Sequence, residues 1–389
     1  MQKKIIALAV AGLVSGAAFA QTNVTVYGVV DAYAVSGSAK GATKDSFDGI
    51  NAGGLSGSRL GFKGTEDLGN GLKGVFVFEF GTLDTTANAA TNAATQATVS
   101  NGMDTWRQSY VGLTGGFGTA VAGRLQNPGY DFAAKYDAHG ASIFSPVGQL
   151  SDNAGLSITA RGALGRLDNA IAYISPSFSG VTVKAAYAFG EQVEGQTQIS
   201  TAGAVSATEV SEAQSVWALA ADYDAGPLSV GFVYHDLNDI GGTLQGGAAT
   251  DRSEWGLGAK YNFGMVTPFV SYQHSKTEVT GGVWTKDKLW NIGARVTVGA
   301  AGSVGIAYGN LKETVSAGTS DLKATSWGLD YQHSLSKRTT AYVGYSRISN
   351  DANMAYELKN LKGSAAGATV AADVDQTSSQ IAVGVRHSF

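Results

Sequence analysis

The sequence predicts an all-β protein, a sixteen-stranded antiparallel transmembrane barrel, on three observations. Apolar residues alternate with small or charged residues along stretches of about ten residues. The links between these stretches alternate between short and long. The chain begins with an export signal and contains no cysteine. Together these features are typical of an outer-membrane barrel, in which lipid-facing and lumen-facing residues alternate along every strand.

The first twenty residues show the three parts of a secretory signal peptide in order. Lysines at positions 3 and 4 precede an apolar stretch, and a small-residue motif ends at Ala20. The apolar stretch is too short for a spanning helix, which needs about 20 residues. We expect cleavage after Ala20, so that 1–20 is the signal peptide and 21–389 forms the barrel. A buried or amphipathic helix is the alternative interpretation.

The composition excludes several other classes of protein. Removal of the two signal-peptide lysines changes the formal charge from −4 to −6, which argues against nucleic-acid binding. Charged residues make up 15% of the chain and glycine 53 of its 389 residues. The charged share is low and the glycine share high for a globular protein. Without cysteine, an exported chain has no disulfide framework.

The stretch "VTVKAAYAFGE" shows how the alternation fixes the register of a strand. Val181, Val183, Tyr187 and Phe189 fall on one face, and Lys184 falls on the other. A shift by one residue would place the lysine in hydrocarbon, at about 2–4 kcal/mol near the midplane. The second face is rich in Gly, Ala, Lys and Arg, which do not fill a packed core, so we interpret it as lining an aqueous lumen. A soluble two-sheet sandwich is the alternative.

The strand pattern recurs along the whole chain, with short links such as "DLGNG" and "GGFG" between some strands and long links such as 83–102, 190–213 and 350–377 between others. An even number of strands returns both termini to the rim with the short turns, which is the periplasmic rim of outer-membrane barrels. The predicted strands are 24–35, 55–67, 71–82, 103–114, 117–126, 167–175, 180–190, 214–224, 227–237, 252–263, 266–277, 285–299, 302–313, 322–334, 338–349 and 378–389.

The last strand, "SSQIAVGVRHSF", keeps its alternation up to Phe389. A barrel closes only when its last strand pairs with its first, because an unpaired polar edge is excluded from lipid. The terminal strand is therefore predicted to be an ordered part of the barrel.

Five blocks in order resemble the general porins of Gram-negative bacteria, in particular the β-proteobacterial group. They are "NVTVYGVVDA", "SRLGFKGTEDLGNGLKGVFVFE", "RQSYVGLTGGFGTAVAGR", "AYISPSFSGVTVKAAY" and "VGVRHSF". The resemblance implies a homotrimer in outer-membrane lipid and lipopolysaccharide, passive diffusion of small hydrophilic solutes and ions, and a third long loop that folds inward as a constriction. We expect no cofactor and no bound metal. The end at Phe389 resembles the signal by which the barrel-assembly machinery recognises such chains.

The third long link, about 127–165, is expected to supply the acidic side of that constriction. A loop of nearly forty residues is uncommon unless it is functional. It contains Asp131, Asp137 and Asp152, and with the resemblance we expect Asp131 and Asp137 to line the passage. An ordered surface loop with solvated charges is the alternative.

The opposite wall is expected to be basic. Arg59 and Lys63 face the lumen if Leu60 and Phe62 face lipid, and Glu79 faces the lumen because phenylalanines occupy the alternate positions.

The alternation of lipid-facing and lumen-facing residues also predicts the faces of three more arginines. Outward Val121 would turn Arg124 inward, and outward Leu167 would turn Arg166 inward. Arg107 is harder to assign, because both faces of "WRQSYVGL" carry large residues. The resemblance places these three arginines and Arg59 on the barrel wall, and salt bridges at the rim are the alternative. Four arginines against two or three acids predict a mild anion preference.

Two other function classes are considered, an enzyme built on a barrel and a surface receptor. The five histidines are expected on a solvated barrel rim, and neither a metal-ligand spacing nor a nucleophile elbow is found. A receptor would act through 190–213 and 350–377. Ten aromatic residues are expected mostly on the outward face or at strand ends, in girdles at the two membrane interfaces. They are Tyr187, Phe189, Tyr234, Trp255, Phe263, Tyr272, Trp290, Tyr308, Trp327 and Tyr331. The histidines are His139, His235, His274, His333 and His387.

Overall fold

A computed structural model describes most of the barrel and the part of the third loop that enters it. The predicted signal peptide and the link 83–102 lie outside the described residues. The described ranges are 23–40, 46–81, 106–158, 165–190, 198–199, 205–206, 215–238, 250–279, 282–316, 321–351, 353–358 and 374–389.

The described strands form one closed antiparallel sheet of 17 strands and a separate hairpin, β9–β10. Two short helices lie between β6 and β7, and none of the described helices is long and apolar enough to cross a membrane. The elements are β1 (Asn23–Ala39), β2 (Ser46–Ala52), β3 (Arg59–Gly69), β4 (Leu72–Gly81), β5 (Trp106–Gly115), β6 (Gly118–Gln126), α1 (Pro128–Tyr136), α2 (Pro146–Ala154), β7 (Arg166–Ile174), β8 (Val181–Ala188), β9 (Gln198–Ile199), β10 (Val205–Ser206), β11 (Ser215–Ala225), β12 (Leu228–Asn238), β13 (Thr250–Tyr261), β14 (Val266–Val279), β15 (Val283–Val298), β16 (Gly302–Val315), β17 (Leu322–Ser334), β18 (Thr339–Asn350) and β19 (Thr377–Ser388).

The barrel has sixteen spanning strands in the described chain, because β2 and β3 are two halves of one. The sequence pattern predicted only the second half. Between them the chain leaves the ladder at 53–58, where the buried carboxylate of Asp31 accepts hydrogen bonds from the backbone N–H groups of Leu55 (2.8 Å) and Ser56 (2.9 Å). Tyr342 donates to the same carboxylate at 2.5 Å. The hydrogen bonds to Asp31 take the place of the strand-to-strand hydrogen bonds that are missing at 53–58.

The barrel closes through β1 and β19, as the sequence predicted. The pairing runs from Val29 opposite Ser388 to Ala39 opposite Ser378. At the end of the chain, Gly28 N–H donates to the Phe389 carbonyl at 3.0 Å and Phe389 N–H donates to the Gly28 carbonyl at 3.1 Å. The sheet therefore has no open edge between its first and last strands.

The small residues of the inner face suggested a lumen filled with water. In the structure, part of this face is instead covered by protein. The inward part of the third long link, residues 127–158, is called L3 from here on. Helix α1 packs against β11 to β14, and α2 packs against β15 to β18. Inner glycines make room for its bulky side chains. A Cβ atom on Gly231 would lie 2.3 Å from the Tyr136 ring, and one on Gly328 would lie 1.9 Å from the Phe144 carbonyl oxygen. The glycines thus let L3 fill one side of the barrel.

Candidate pore constriction

The wall opposite L3 carries a cluster of basic side chains around one carboxylate. Along β3 and β4, the outward residues Phe62 and Phe78 lie opposite each other and are exposed. The alternate positions, Arg59, Lys63 and Glu79, therefore face the lumen. The alternation in the sequence is sufficient to place these three side chains.

Glu79 holds this cluster together. Its side chain is 5% exposed. It accepts a hydrogen bond from Arg107 Nε at 2.7 Å and one from the Tyr27 hydroxyl at 3.0 Å, and Arg59 Nε lies 3.7 Å from its Oε2. One negative charge thus fixes the positions of two guanidinium groups, which remain partly exposed to the lumen.

Arg107 reaches the lumen through an irregularity of the sheet. The register between β4 and β5 shifts between Glu79 and Phe80, so that Glu79 pairs with Gln108 and Phe80 pairs with Trp106. Arg107 is the extra residue of this β-bulge, and bulges re-aim side chains. This explains why alternation alone did not assign its face.

Arg166 lies at the junction of L3 and β7. Its guanidinium carbon is 4.5 Å from the centroid of the Tyr130 ring on α1, and its Nη1 donates to the Gly165 carbonyl at 2.7 Å. Its position was predicted from an outward Leu167, and that premise is wrong. Leu167 is buried in an inner cluster with Ala170, because the chain adopts a positive φ at Asn169 and both residues turn inward.

Arg124 is not part of this cluster, contrary to the prediction. It lies opposite Ser109, two residues from Val111, which is 64% exposed on the outer face. The register places Arg124 on that outer face, where it forms an ion pair with the exposed carboxylate of Asp168. Val121, expected to face lipid, instead packs against the inner cluster that contains Leu125.

The error arises from the assignment of Val121 to the lipid face. The alternation of β6 is unbroken: Val121 and Leu125 both lie on the inner face, so Arg124, an odd number of residues from each, faces outward. The register shift between β6 and β7 places residues 168 and 169 opposite Arg124 alone, so the bulge lies in β7.

The acidic side of L3 is partly neutralised. Asp131, in the first turn of α1, accepts hydrogen bonds from Lys184 Nζ at 2.9 Å and from the Gln126 amide. Lys184 is an inward residue of β8 that was not included among the site residues, although its alternation was clear. The carboxylate of Asp131 is still 39% exposed.

Asp137 does not line the passage. It is 3% exposed at the end of α1, and its Oδ2 accepts from the Ala141 N–H at 2.9 Å. The carboxylate is used to close the turn that follows the helix. Nearby, Lys135 donates to Asp222 and Asp224 at 2.9 Å each. Burial alone lowers the pKa of Lys135, but these two hydrogen bonds outweigh it and raise the pKa above its ordinary value.

Two histidines expected on the rim instead fasten L3 to the barrel wall. His139 contacts the buried carboxylate of Asp330, which also accepts from Arg295 Nη2 at 2.9 Å. Arg295 in turn donates to the Ala138 carbonyl of L3 at 2.8 Å.

The second fastening lies at the other end of L3. The Ser157 hydroxyl contacts His235 Nδ1 at 2.7 Å and Glu254 Oε2 at 3.0 Å, and Glu254 also accepts from the backbone N–H groups of Ser157 and Ile158. These contacts join residues far apart in the sequence, so strand periodicity carries no information about them.

On the short-turn side of the arginine cluster the lumen contains a cavity of about 730 Å³, which is lined by β1, by β3 to β7 and by Asp131 of α1. Lys63, Gln108, Tyr110 and Asp131 are among its lining residues. Within the described residues, no group of three or more His, Cys, Asp or Glu side chains is placed to hold a metal ion. The arrangement is a narrow polar passage with fixed positive charge on one wall, suited to the movement of hydrated solutes.

Comparison with known proteins agrees with this geometry. A family model described as Gram-negative porin matches residues 7–353. "Outer membrane porin protein 32" of Delftia acidovorans is 35% identical over 397 residues, with all of both chains covered. An outer membrane porin protein of Bordetella pertussis is 27% identical over 426 residues, again with 100% of both chains covered.

Solved structures agree as well. The "Anion-selective porin from Comamonas acidovorans" has 30% sequence identity and a TM-score of 0.73, covering 95% of this chain and 100% of that one. OmpT of Vibrio cholerae, in a structure described as its trimer form, shares the fold at 16% identity and a TM-score of 0.64, covering 95% of this chain and 99% of that one. The chain therefore belongs to the Gram-negative porins and is a passive channel of the outer membrane.

Proposed function

We propose that this channel passes small anions in preference to cations, through the opening between the basic wall and L3. The observation that carries the proposal is the charge balance. Arg59, Arg107 and Arg166 stand against the single carboxylate of Glu79, while Asp131 is paired with Lys184. Two positive charges are left in excess, and fixed charge in a narrow passage selects ions of the opposite sign. The similar porin from Comamonas acidovorans is described as anion-selective, which supports the same direction.

Liposome swelling tests this preference. Vesicles containing the purified protein would be diluted into isosmotic solutions of an anionic, a neutral and a cationic solute of equal size. We expect the anionic solute to enter fastest and the cationic solute slowest. Equal rates for the two ions, with normal entry of the neutral solute, would show an open channel without the proposed preference.

We also propose that the protein assembles as a homotrimer through the sector formed by β19, β1, β3 and β4. Among the described side chains of these strands no Tyr or Trp points outward, and valines such as Val26 and Val383 are exposed. Tyr and Trp mark the lipid headgroup level, so a sector without them fits contact with protein. Around the rest of the barrel the exposed outward aromatics include Tyr173, Trp217, Trp255, Trp290, Trp327 and Tyr345.

Cysteine labelling tests the trimer sector, because the chain has no cysteine of its own. A fluorophore attached to Val383→Cys should be protected from quenching by brominated lipid. The same label on Leu257→Cys, whose side chain is 49% exposed on β13, should be quenched. Equal quenching at the two positions would place lipid, not a neighbouring subunit, on the sector.

For the enzyme hypothesis, the nearest set of groups is Ser157, His235 and Glu254. The Ser157 side chain is fully buried and the hydroxyl lies between the other two, so it is not open to a substrate. We propose that these residues anchor L3 and that the chain has no hydrolytic activity. Ester hydrolysis that is abolished in Ser157→Ala would contradict this.

A further inference from the structure

Two lysines continue the basic wall from the constriction toward the rim with the short turns. Lys63 lies four residues beyond Arg59 on β3. Lys73 lies near the start of β4, beside the short turn at 70–71, and four residues from Val77, the residue opposite Lys63. Even spacing keeps all three cations on the lumen face. At about 3.4 Å per residue, each step of four residues is about 14 Å along the strands.

Neither lysine is held by a carboxylate in the described structure. The ion pairs found there involve other lysines, such as Lys135 and Lys184. Lys63 Nζ lies 5.3 Å from the centroid of the Tyr27 ring. Lys73 lies opposite Asp67, whose Oδ1 accepts from the Gly69 N–H at 2.9 Å and is not within ion-pair distance of the lysine.

Both lysines line the cavity of about 730 Å³, and both are exposed. The other polar groups around it include the amides of Gln108 and Gln126 and the hydroxyl of Tyr110. Among the described residues its one lining carboxylate, Asp131, is paired with Lys184, and apolar side chains of β4 and β6 complete the lining. The cavity therefore carries two exposed ammonium groups that form no ion pair with any described residue, on the short-turn side of the constriction.

We propose that Lys63 and Lys73 form a second anion-binding subsite on the short-turn side of the constriction, which takes small multivalent carboxylates. An ammonium group is a compact charge with three rotatable donors on a flexible stem, so it accepts carboxylates in many orientations. Two ammonium groups placed one after the other along the pore let an anion move away from the arginines in steps. Passage also requires that each site bind the anion weakly enough to release it. The inference rests on the proposed anion preference. It adds that the channel binds multivalent anions more strongly from the short-turn side than from the long-loop side.

The test is block of single-channel current by citrate added to one side of a planar bilayer. The label Ser336→Cys, on the short turn at 335–338, defines the orientation through a membrane-impermeant thiol reagent. We expect wild-type block at a lower citrate concentration from the short-turn side than from the long-loop side. In Lys63→Gln/Lys73→Gln, block from the short-turn side should weaken by about two- to fivefold per lysine, the range for exposed ion pairs. Block from the long-loop side should stay unchanged.

Two further variants make the result specific. Lys337→Gln removes the same charge from the same rim but outside the cavity, and its block should equal that of wild type. Lys63→Arg/Lys73→Arg keeps the charges and should keep the sidedness.

Equal block of the wild type from both sides, or an unchanged sidedness in the Lys63→Gln/Lys73→Gln variant, would overturn the inference. A separate measurement without citrate tests the anion preference itself. A zero-current potential on the potassium side in a KCl gradient would show that this preference, and not only the lysine subsite, is absent.

Discussion

Replacing Glu79 by Gln should make the channel more selective for anions. The change removes the carboxylate from the arginine cluster and raises its excess charge from two to three, while the amide oxygen can still accept from Arg107 and the amide NH2 group can donate to the Tyr27 hydroxyl. An ion that passes at about 5 Å from a unit charge of opposite sign in water is stabilised by about 0.8 kcal/mol, and screening at physiological salt reduces this to about 0.45 kcal/mol.

The effect has opposite signs for anions and cations, so the two terms add to about 0.9 kcal/mol. The permeability ratio of chloride to potassium should therefore rise about four- to fivefold. The assay is the zero-current potential of the purified variant in a planar bilayer under a KCl gradient. Loss of the charge-assisted bonds should also lower stability by about 1–3 kcal/mol, measured as heat-induced loss of the folded band on an unheated gel.

Asp168→Asn is the matched control, because it removes the same charge from a carboxylate paired with Arg124 on the outer face. Its zero-current potential should equal that of the wild type. An unchanged ratio in Glu79→Gln, or a shift toward potassium, would refute the assignment of this cluster to the ion path.

Three further predictions concern L3 and the closing strand. Gly328→Ala places a Cβ 1.9 Å from the Phe144 carbonyl and should destabilise the barrel by about 1–3 kcal/mol in thermal unfolding, whereas Gly116→Ala, with open space around it, should not. Asp330→Asn should cost about 3–5 kcal/mol of stability and increase the current noise, because it releases L3 from the barrel wall. Asp321→Asn, in an exposed pair with Lys312, should leave the stability nearly unchanged, and equal losses in the two variants would contradict the role of Asp330 in fastening L3. We propose Phe389 as an assembly signal, so Phe389→Ala should reduce the yield of heat-modifiable barrel in outer membranes, while Leu335→Ala at the same rim should not.

The fold was predictable from the sequence wherever the alternation is unbroken. Arg59, Lys63 and Glu79 lie on regular stretches of β3 and β4, so their common face follows from a period of two. Closure through β1 and β19 follows from the need to leave no edge in lipid.

The predictions went wrong at a bulge and at an apolar residue of the inner face. The bulge in β7 near Asn169 reverses the alternation there, so Leu167 was predicted on the wrong face. A period of two counts residues and does not detect an inserted one. In β6 the alternation is unbroken, and Arg124 was predicted on the wrong face because Val121 was assigned to lipid.

The contacts between L3 and the barrel wall could not be predicted from the sequence for a different reason. His139 meets Asp330, and His235 meets Ser157, across 191 and 78 residues of sequence. Such pairings depend on where the loop enters the barrel, and each histidine viewed alone resembles a solvated one. The glycines on the inner face did carry a signal, since a row of residues without side chains indicates a close approach by another part of the chain.

The most direct test of the central claim is the zero-current potential of the wild-type protein in a planar bilayer under a KCl gradient. An open passage along the wall of Arg59, Arg107 and Arg166 predicts ohmic single-channel steps and a potential on the chloride side. Ohmic steps with a potential on the potassium side would contradict the claim, because some other set of charges would then control the ion path.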